Sequence, residues 1–309
     1  MDNNNKICRI LSLDGGGAKG FYTLGVLRGI EALVKRPLCE CFDLIFGTST
    51  GAIIAALIAL GHEVKDIHEL YKTHVPTIMK RITKRGRSEA LADLANTVFG
   101  DKKFDEVKTG IGIVATRWLQ ECPMIFKGGS IAKAHGNSYG TFAPGFGVPI
   151  SEAVQASCSA YPLFRRKTVT TLDGDKIELM DGGYCANNPT LYAIADASNA
   201  LKIPHNSLRV ISIGVGVYPK PSNLKHHICK LIPGVQWLEK ALEINTQSME
   251  QLRHILYKDI PTIRINQTFE RPEMATDFME YDLNRLNILR QRGGDSYAVH
   301  EQQLKSYLL

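Results

Sequence analysis

The chain has no stretch long enough to cross a bilayer and no cysteine pattern able to staple a fold. Its longest strongly apolar run, Ala52–Leu60, falls far short of the roughly 20 residues that span a membrane. The cysteines, at positions 8, 39, 41, 122, 158, 185 and 229, are odd in number and scattered, with no C-x-x-C pair. Such a set argues for free thiols in a reducing compartment and against a disulfide framework or a zinc site. No acidic cluster has the spacing of a calcium loop, and Asp173 and Asp175 around Gly174 mark a hairpin turn more simply than a metal site. The start, Met1-Asp2-Asn3-Asn4-Asn5, has neither the basic residues nor the apolar core of a signal peptide. A formal charge of +6 is too mild to imply nucleic acid, although it suits an anionic membrane surface. These absences lead us to expect a soluble, cytoplasmic protein with no metal and no cofactor, which would have to visit a membrane surface if it acted on lipid.

What is present is an ordinary globular composition over 309 residues, with 44% apolar and 22% charged residues, ample to bury a core. Ile7–Leu13 reads as a buried strand, Gly15–Gly20 as a glycine turn, and residues 21–34 as a helix from the spacing of Val26, Ile30, Leu33 and Val34. A second strand is expected at Phe42–Phe46 and a helix at Ala52–Leu60. This alternation predicts a parallel sheet covered by helices. Ile111–Thr116 and Met124–Phe126 read as paired strands, Ser151–Ala160 as a small-residue helix, Arg209–Val217 and Thr262–Ile265 as strands, and Leu238–Leu256 as one long helix or a pair. With no repeat or linker, a single domain over 1–309 is expected, with residues 218–309 completing it in helical form.

Three motifs carry chemistry. Gly47-Thr48-Ser49-Thr50-Gly51 lies between a strand and a helix, the context in which a serine becomes a nucleophile on a turn too sharp for bulky neighbours. The helix that follows aims its positive end at a developing oxyanion. Asp14-Gly15-Gly16-Gly17-Ala18-Lys19-Gly20 joins the first strand to the first helix. Its G-x-G-x-x-G invites a dinucleotide reading, but Asp14 would sit beside a pyrophosphate, and Lys19 is not followed by the Ser or Thr of a Walker loop. Exposed amides of Gly15, Gly16 and Gly17 instead suit an oxyanion. Asp181-Gly182-Gly183, followed by Asn187-Asn188-Pro189, presents a carboxylate without steric cover.

Together these motifs resemble those of the patatin-like lipid acyl hydrolases: the oxyanion segment Gly15–Gly20, the G-x-S-x-G of Gly47–Gly51, and the D-G-[AG] of Asp181–Gly183. The small-residue stretch Ala153–Phe164 is similar too, and the resemblance covers roughly residues 8–217. It implies a three-layer α/β/α fold with a mostly parallel central sheet. It also implies a Ser49–Asp181 dyad, Ser49 as nucleophile and Asp181 as proton acceptor, that cleaves fatty acyl esters of membrane phospholipids. Bacterial proteins of this kind include effectors that degrade the cell's own membrane in antiviral defence once a cyclic nucleotide arrives, so such an activator is a candidate partner. The competing readings are a dinucleotide-dependent oxidoreductase built on Gly15, Gly17 and Gly20, and a non-catalytic scaffold.

Other features admit more than one role. His205 follows Asp181 in the order of a Ser-Asp-His triad, but a surface histidine is the simpler expectation. The basic run around Lys80, Arg81, Lys84, Arg85 and Arg87 reads as a solvated face, while Arg81, Arg85, Arg165 and Arg166 are candidates for pairing with phosphates. The Gly-rich segment from Gly128 to Gly147 is expected to be a mobile loop, either a membrane-facing cover carrying Ile131, Tyr139, Phe142 and Phe146 or a surface loop packed permanently on the core.

Overall fold

The computed structural model describes residues 7–135, 138–139, 143–220 and 234–309. An eight-stranded sheet forms the middle layer. Its strands are β1 (Cys8–Leu13), β2 (Leu44–Thr48), β3 (Gly110–Arg117), β4 (Cys122–Gly128), β5 (Lys167–Thr170), β6 (Lys176–Asp181), β7 (Leu208–Ile213) and β8 (Thr262–Ile265). They lie in the order β8-β7-β1-β2-β3-β6-β5, with β4 on the other side of β3. The first five in that order run parallel, and β4, β5 and β6 add antiparallel pairs.

The parallel strands are apolar on both faces because helices cover both. Leu11, Leu13, Ile45 and Ile211 enter one core, and Ile10, Leu44, Phe46 and Val210 enter the other. On the first face lie α1 (Gly20–Val34), α2 (Thr50–Leu60), α3 (Val64–Met79), α4 (Lys84–Phe99) and α5 (Ile150–Ser157). The second face is covered by α6 (Thr190–Ala195) and its continuation, through Ala193, Ile194 and Ala197. This is the expected three-layer architecture.

The C-terminal third enters the fold as α7 (Val235–Leu256), the edge strand β8 and α8 (Leu283–Leu308). Asp282 caps α8, its carboxylate accepting the N–H groups of Asn284 and Arg285. The contact of α8 with α1 is close because Gly25 meets the Arg290 backbone and Gly293 meets that of Tyr22, so a β-carbond at either would collide with a carbonyl.

One register positions the site. On β3, Val114 pairs with Thr48 of β2, and the next residue, Ala115, pairs with Asp181 of β6. β2 runs parallel to β3 and β6 antiparallel, so the two strands meet end to end along one edge of β3. Ser49 and Asp181 are thereby brought together from 132 residues apart in sequence.

Several boundaries differ from the sequence reading. The second strand runs Leu44–Thr48, two residues later than expected, because Phe42 and Asp43 approach it from the short helix Leu38–Cys41. The basic run falls at the junction of two full helices, α3 and α4, and Arg87 is not solvated: it is buried and donates to the Leu163 carbonyl. In the Gly128–Gly147 segment, Ile131 is fully buried and Phe146 packs edge-on against Phe126, so these two belong to the core side of the expected alternatives. Phe142 and the Tyr139 side chain lie outside the described residues.

Candidate active site

Ser49 sits at the end of β2 as the residue before α2, with φ 54° and ψ −122°. A positive φ is costly for a residue with a β-carbon, and it persists here because the surroundings over-determine it. Gly51 lies against the Leu13 carbonyl, where a β-carbon would collide. The Ser49 amide donates to Ser157 Oγ at 2.9 Å, and Ser157 donates in turn to the Val114 carbonyl at 2.6 Å. The turn is therefore tied to α5 and β3 as well as to its own helix.

Asp181 ends β6 and is buried. Ser49 Oγ donates to Asp181 Oδ2 at 2.8 Å, and Gly183 N–H donates to Oδ1 at 2.7 Å. Thr116 holds the Asp181 carbonyl at 2.8 Å, and the Asp181 amide donates to the Ser159 carbonyl at 3.0 Å. Burial pushes the carboxyl up to about 7, against the pull of the hydrogen bonds from Gly183 and Ser49. A carboxylate so destabilised is a better base than an exposed one, because desolvation disfavours its charged form. The neighbouring Cys158 thiol is driven well above its usual value, by burial first and by Asp181 second. It is a protonated wall residue.

The glycine loop lies beside the serine, but its three amides are not equivalent. Gly15 N–H is spent on the Asn187 carbonyl at 2.9 Å. This departs from the expected three-glycine oxyanion set, since a donor already committed to backbone is not free for an oxyanion. Gly16 and Gly17 carry no hydrogen bond from their amides among the described residues, and both line the cavity at Ser49. Gly20 starts α1, Gly47 and Gly51 flank the serine turn, and Gly182 and Gly183 follow the aspartate, as their motifs required.

The C-terminal third supports this loop through residues with no motif of their own. Arg264 on β8 donates to both carboxylate oxygens of Asp14, just before the loop. Asn187 Nδ2 donates to the Gly15 carbonyl at 3.3 Å and to Thr246 Oγ1 at 2.7 Å. Asn245 Oδ1 accepts the Asn187 amide, and Glu250 accepts Asn188 Nδ2. Asn187-Asn188 was visible as a motif and Ser157 lay in the small-residue stretch, whereas Asn245, Thr246, Glu250 and Arg264 had no signal in one sequence beyond being polar residues in amphipathic elements. His205 lies at the surface, its Nδ1 2.6 Å from Asp259 Oδ2, and is absent from the Ser49 cavity. The structure gives it no triad role. Arg166 is likewise engaged, stacked on Trp118 and paired with Glu178.

An apolar cavity opens on Ser49, Asp181, Gly16 and Gly17. Its walls are apolar: Ile53 of α2, Val75 and Ile78 of α3, Leu91 and Leu94 of α4, and Leu163 among them. A polar Ser49–Asp181 pair opening on an apolar cavity suits an ester of a long acyl chain.

The family model of the patatin-like phospholipases matches residues 11–194. This chain belongs to that family. The patatin-like chain is 64% identical over 307 residues to a cUMP-AMP-activated phospholipase of Escherichia coli, with 99% of this chain and 95% of that protein covered. It is 24% identical over 229 residues to a cGAMP-activated phospholipase of Escherichia coli strain TW11681, covering 67% of this chain and 61% of that protein, less than two thirds of the latter. The crystal structure of VipD from Legionella pneumophila superposes with a TM-score of 0.52 at 13% identity, over 98% of this chain and 67% of VipD, a likeness of fold. The patatin-like enzyme is a serine hydrolase of the lipid acyl hydrolase class, which displaces the oxidoreductase and scaffold readings of the glycine loop.

Proposed function

We propose that this enzyme hydrolyses fatty acyl esters of membrane phospholipids with Ser49 as nucleophile and Asp181 as its base. The observation that carries the reading is the direct 2.8 Å hydrogen bond between them at the mouth of an apolar cavity. As Ser49 Oγ attacks the ester carbonyl, its proton passes to Asp181 and the carbonyl oxygen gains negative charge. The amides of Gly16 and Gly17 and the N-terminal end of α2 receive that charge. Collapse expels the alcohol, which takes the proton back from Asp181. Water then repeats the sequence on the acyl-serine, with Asp181 accepting its proton and Ser49 leaving with one.

The relatives' names support a further step: the enzyme acts as an effector that a cyclic nucleotide switches on. The two relatives named above carry different nucleotides in their names, and the higher identity favours cUMP-AMP. Among the described residues no helix is long and apolar enough to cross a membrane, so on this reading the enzyme meets its substrate as a peripheral visitor to the inner membrane surface.

Fatty acid release from defined liposomes, with and without cUMP-AMP, tests both parts. Release that requires Ser49 and rises with the nucleotide is expected. Release that persists in Ser49→Ala overturns the dyad, and release indifferent to the nucleotide overturns the switch.

A further inference from the structure

The apolar cavity at Ser49 nears the surface where its lining residues are partly exposed, at Met79, Ala160 and Phe278 among others. Each of these three leads within a few residues into exposed chain. Met79 ends α3, and the tip that follows runs Lys80-Arg81-Ile82-Thr83 into Lys84 and Arg85 of α4. Ala160 precedes Tyr161, and Phe278 lies three residues before Tyr281.

Cations over aromatic rings join these stretches into one rim. Lys80 Nζ lies 5.9 Å from the centre of the Tyr281 ring, and Lys84 Nζ 5.8 Å from that of Tyr161. Arg166 stacks between Tyr161 at 5.5 Å and Trp118 at 4.4 Å, and Leu119 beside Trp118 is exposed. Three features set this rim apart from a merely solvated face. Ile82 is 87% exposed at the very tip, with two cations before it and two shortly after. Lys84 and Arg85 occupy the first turn of α4, the positive end of the helix dipole, where cations are disfavoured and no acidic residue offsets them. The charge is also unbalanced. Glu89 is paired with Arg85, Glu178 with Arg166 and Glu280 with Arg285, while Lys80, Arg81, Lys84 and Arg165 enter no ion pair among the described residues.

We propose that this rim docks the enzyme on an anionic lipid surface, with Ile82 entering the acyl layer and the unpaired cations lying on lipid phosphates. Trp and Tyr rings favour the boundary between head groups and hydrocarbon. Cations gather where lipid phosphates make the surface negative, and an exposed apolar side chain gains by leaving water. The docked pose sets the cavity opening against the bilayer, so an acyl chain passes towards Ser49 without crossing water. The inference deepens the phospholipase reading and rests on it.

The test is flotation with vesicles of phosphatidylglycerol and phosphatidylcholine in equal parts, beside vesicles of phosphatidylcholine alone. It uses the full chain carrying Ser49→Ala, so that the lipid stays intact, with and without cUMP-AMP. Binding to the anionic vesicles should exceed binding to the neutral ones about tenfold or more, and should fade as salt rises. Arg81→Glu with Lys84→Glu should remove most of that preference, since each cation at such a surface contributes about fivefold. Ile82→Asp should weaken binding to the anionic vesicles about tenfold or more. An acid at position 84 favours the start of α4, and melting curves establish that every variant folds. Trp237→Ser with Ile244→Ser, on the exposed apolar side of α7, should bind as the parent does. No binding to anionic vesicles in either condition, equal binding by the rim variants, or loss confined to the α7 variant overturns the assignment. So does a change in the size of the rim variants in solution with vesicle binding unchanged, which would make this face a contact between copies. Fluorophosphonate labelling of the intact Ser49 needs no membrane, and it separates failure of the docking from failure of the hydrolase reading.

Discussion

Arg264, on the edge strand near the end of the chain, holds both carboxylate oxygens of Asp14, the residue that opens the glycine loop. Asp14 is 2% exposed, and its amide is fixed to the Ile213 carbonyl at 3.0 Å. Burial pushes its carboxyl up and Arg264 pulls it back. The ion pair therefore anchors the loop to β7 and β8. Removing one partner strands a buried charge, which typically costs about 3–5 kcal/mol. Arg264→Met should lower the melting temperature sharply and slow ester hydrolysis, while Asp14→Asn with Arg264→Met should be less damaging than the two single effects added. Additive losses in a thermal-melt cycle would show that the pair is not coupled.

The pH profile should report Asp181. Its pKa, raised to about 7 by burial, lies on the group that must be deprotonated to act as a base. On a soluble ester, kcat/KM should fall about tenfold per pH unit below that value and level off above it. A profile flat down to pH 5 would contradict the role of Asp181 as base.

The same shift has a consequence for stability. A carboxyl whose pKa is higher folded than unfolded binds more protons in the folded state between pH 4 and 7, so stability falls as pH rises through that window. Asp181→Asn removes the buried charge. Its melting temperature should exceed that of the parent by more at pH 8 than at pH 5, with hydrolysis nearly abolished. A gain that is equal at both pH values would mean that the charge is not what destabilises the site.

At Gly16, a β-carbon would fall 2.6 Å from Val215 Cγ2. Gly16→Ala should therefore displace the loop and depress kcat by about 10²–10³, the usual loss for one oxyanion donor. Val215→Ala in the same chain should restore a substantial part, because it removes the methyl groups that collide. Failure of the second change to rescue would place the defect in the approach of substrate, not in loop position.

Phe146 offers a test of the segment expected to cover the site. It packs, partly buried, on Phe126 and the main core, so Phe146→Ser should lower stability by about 1–2 kcal/mol. Hydrolysis of liposomes and of a soluble ester should fall in parallel. Selective loss on liposomes would return Phe146 to a membrane role.

Much of this protein was legible in one sequence because its determinants are local. The serine turn, the glycine loop and the D-G-G motif each announce a backbone shape that few residues tolerate, and β-branched runs and helical spacing marked most elements. The hairpin around Gly174 and the long helix from 235 to 256 follow from the same local rules. What the sequence could not express is which distant elements share a register. That Val114 and Ala115 pair with Thr48 and Asp181 depends on the packing of the whole sheet, and only that register turns two separate motifs into a 2.8 Å hydrogen bond. The commitment of the Gly15 amide to Asn187, the burial of Arg87 and the hold of Arg264 on Asp14 are of the same kind. Each is a polar group whose partner lies dozens to hundreds of residues away. Its value is set by desolvation, which exists only once the chain has closed around it.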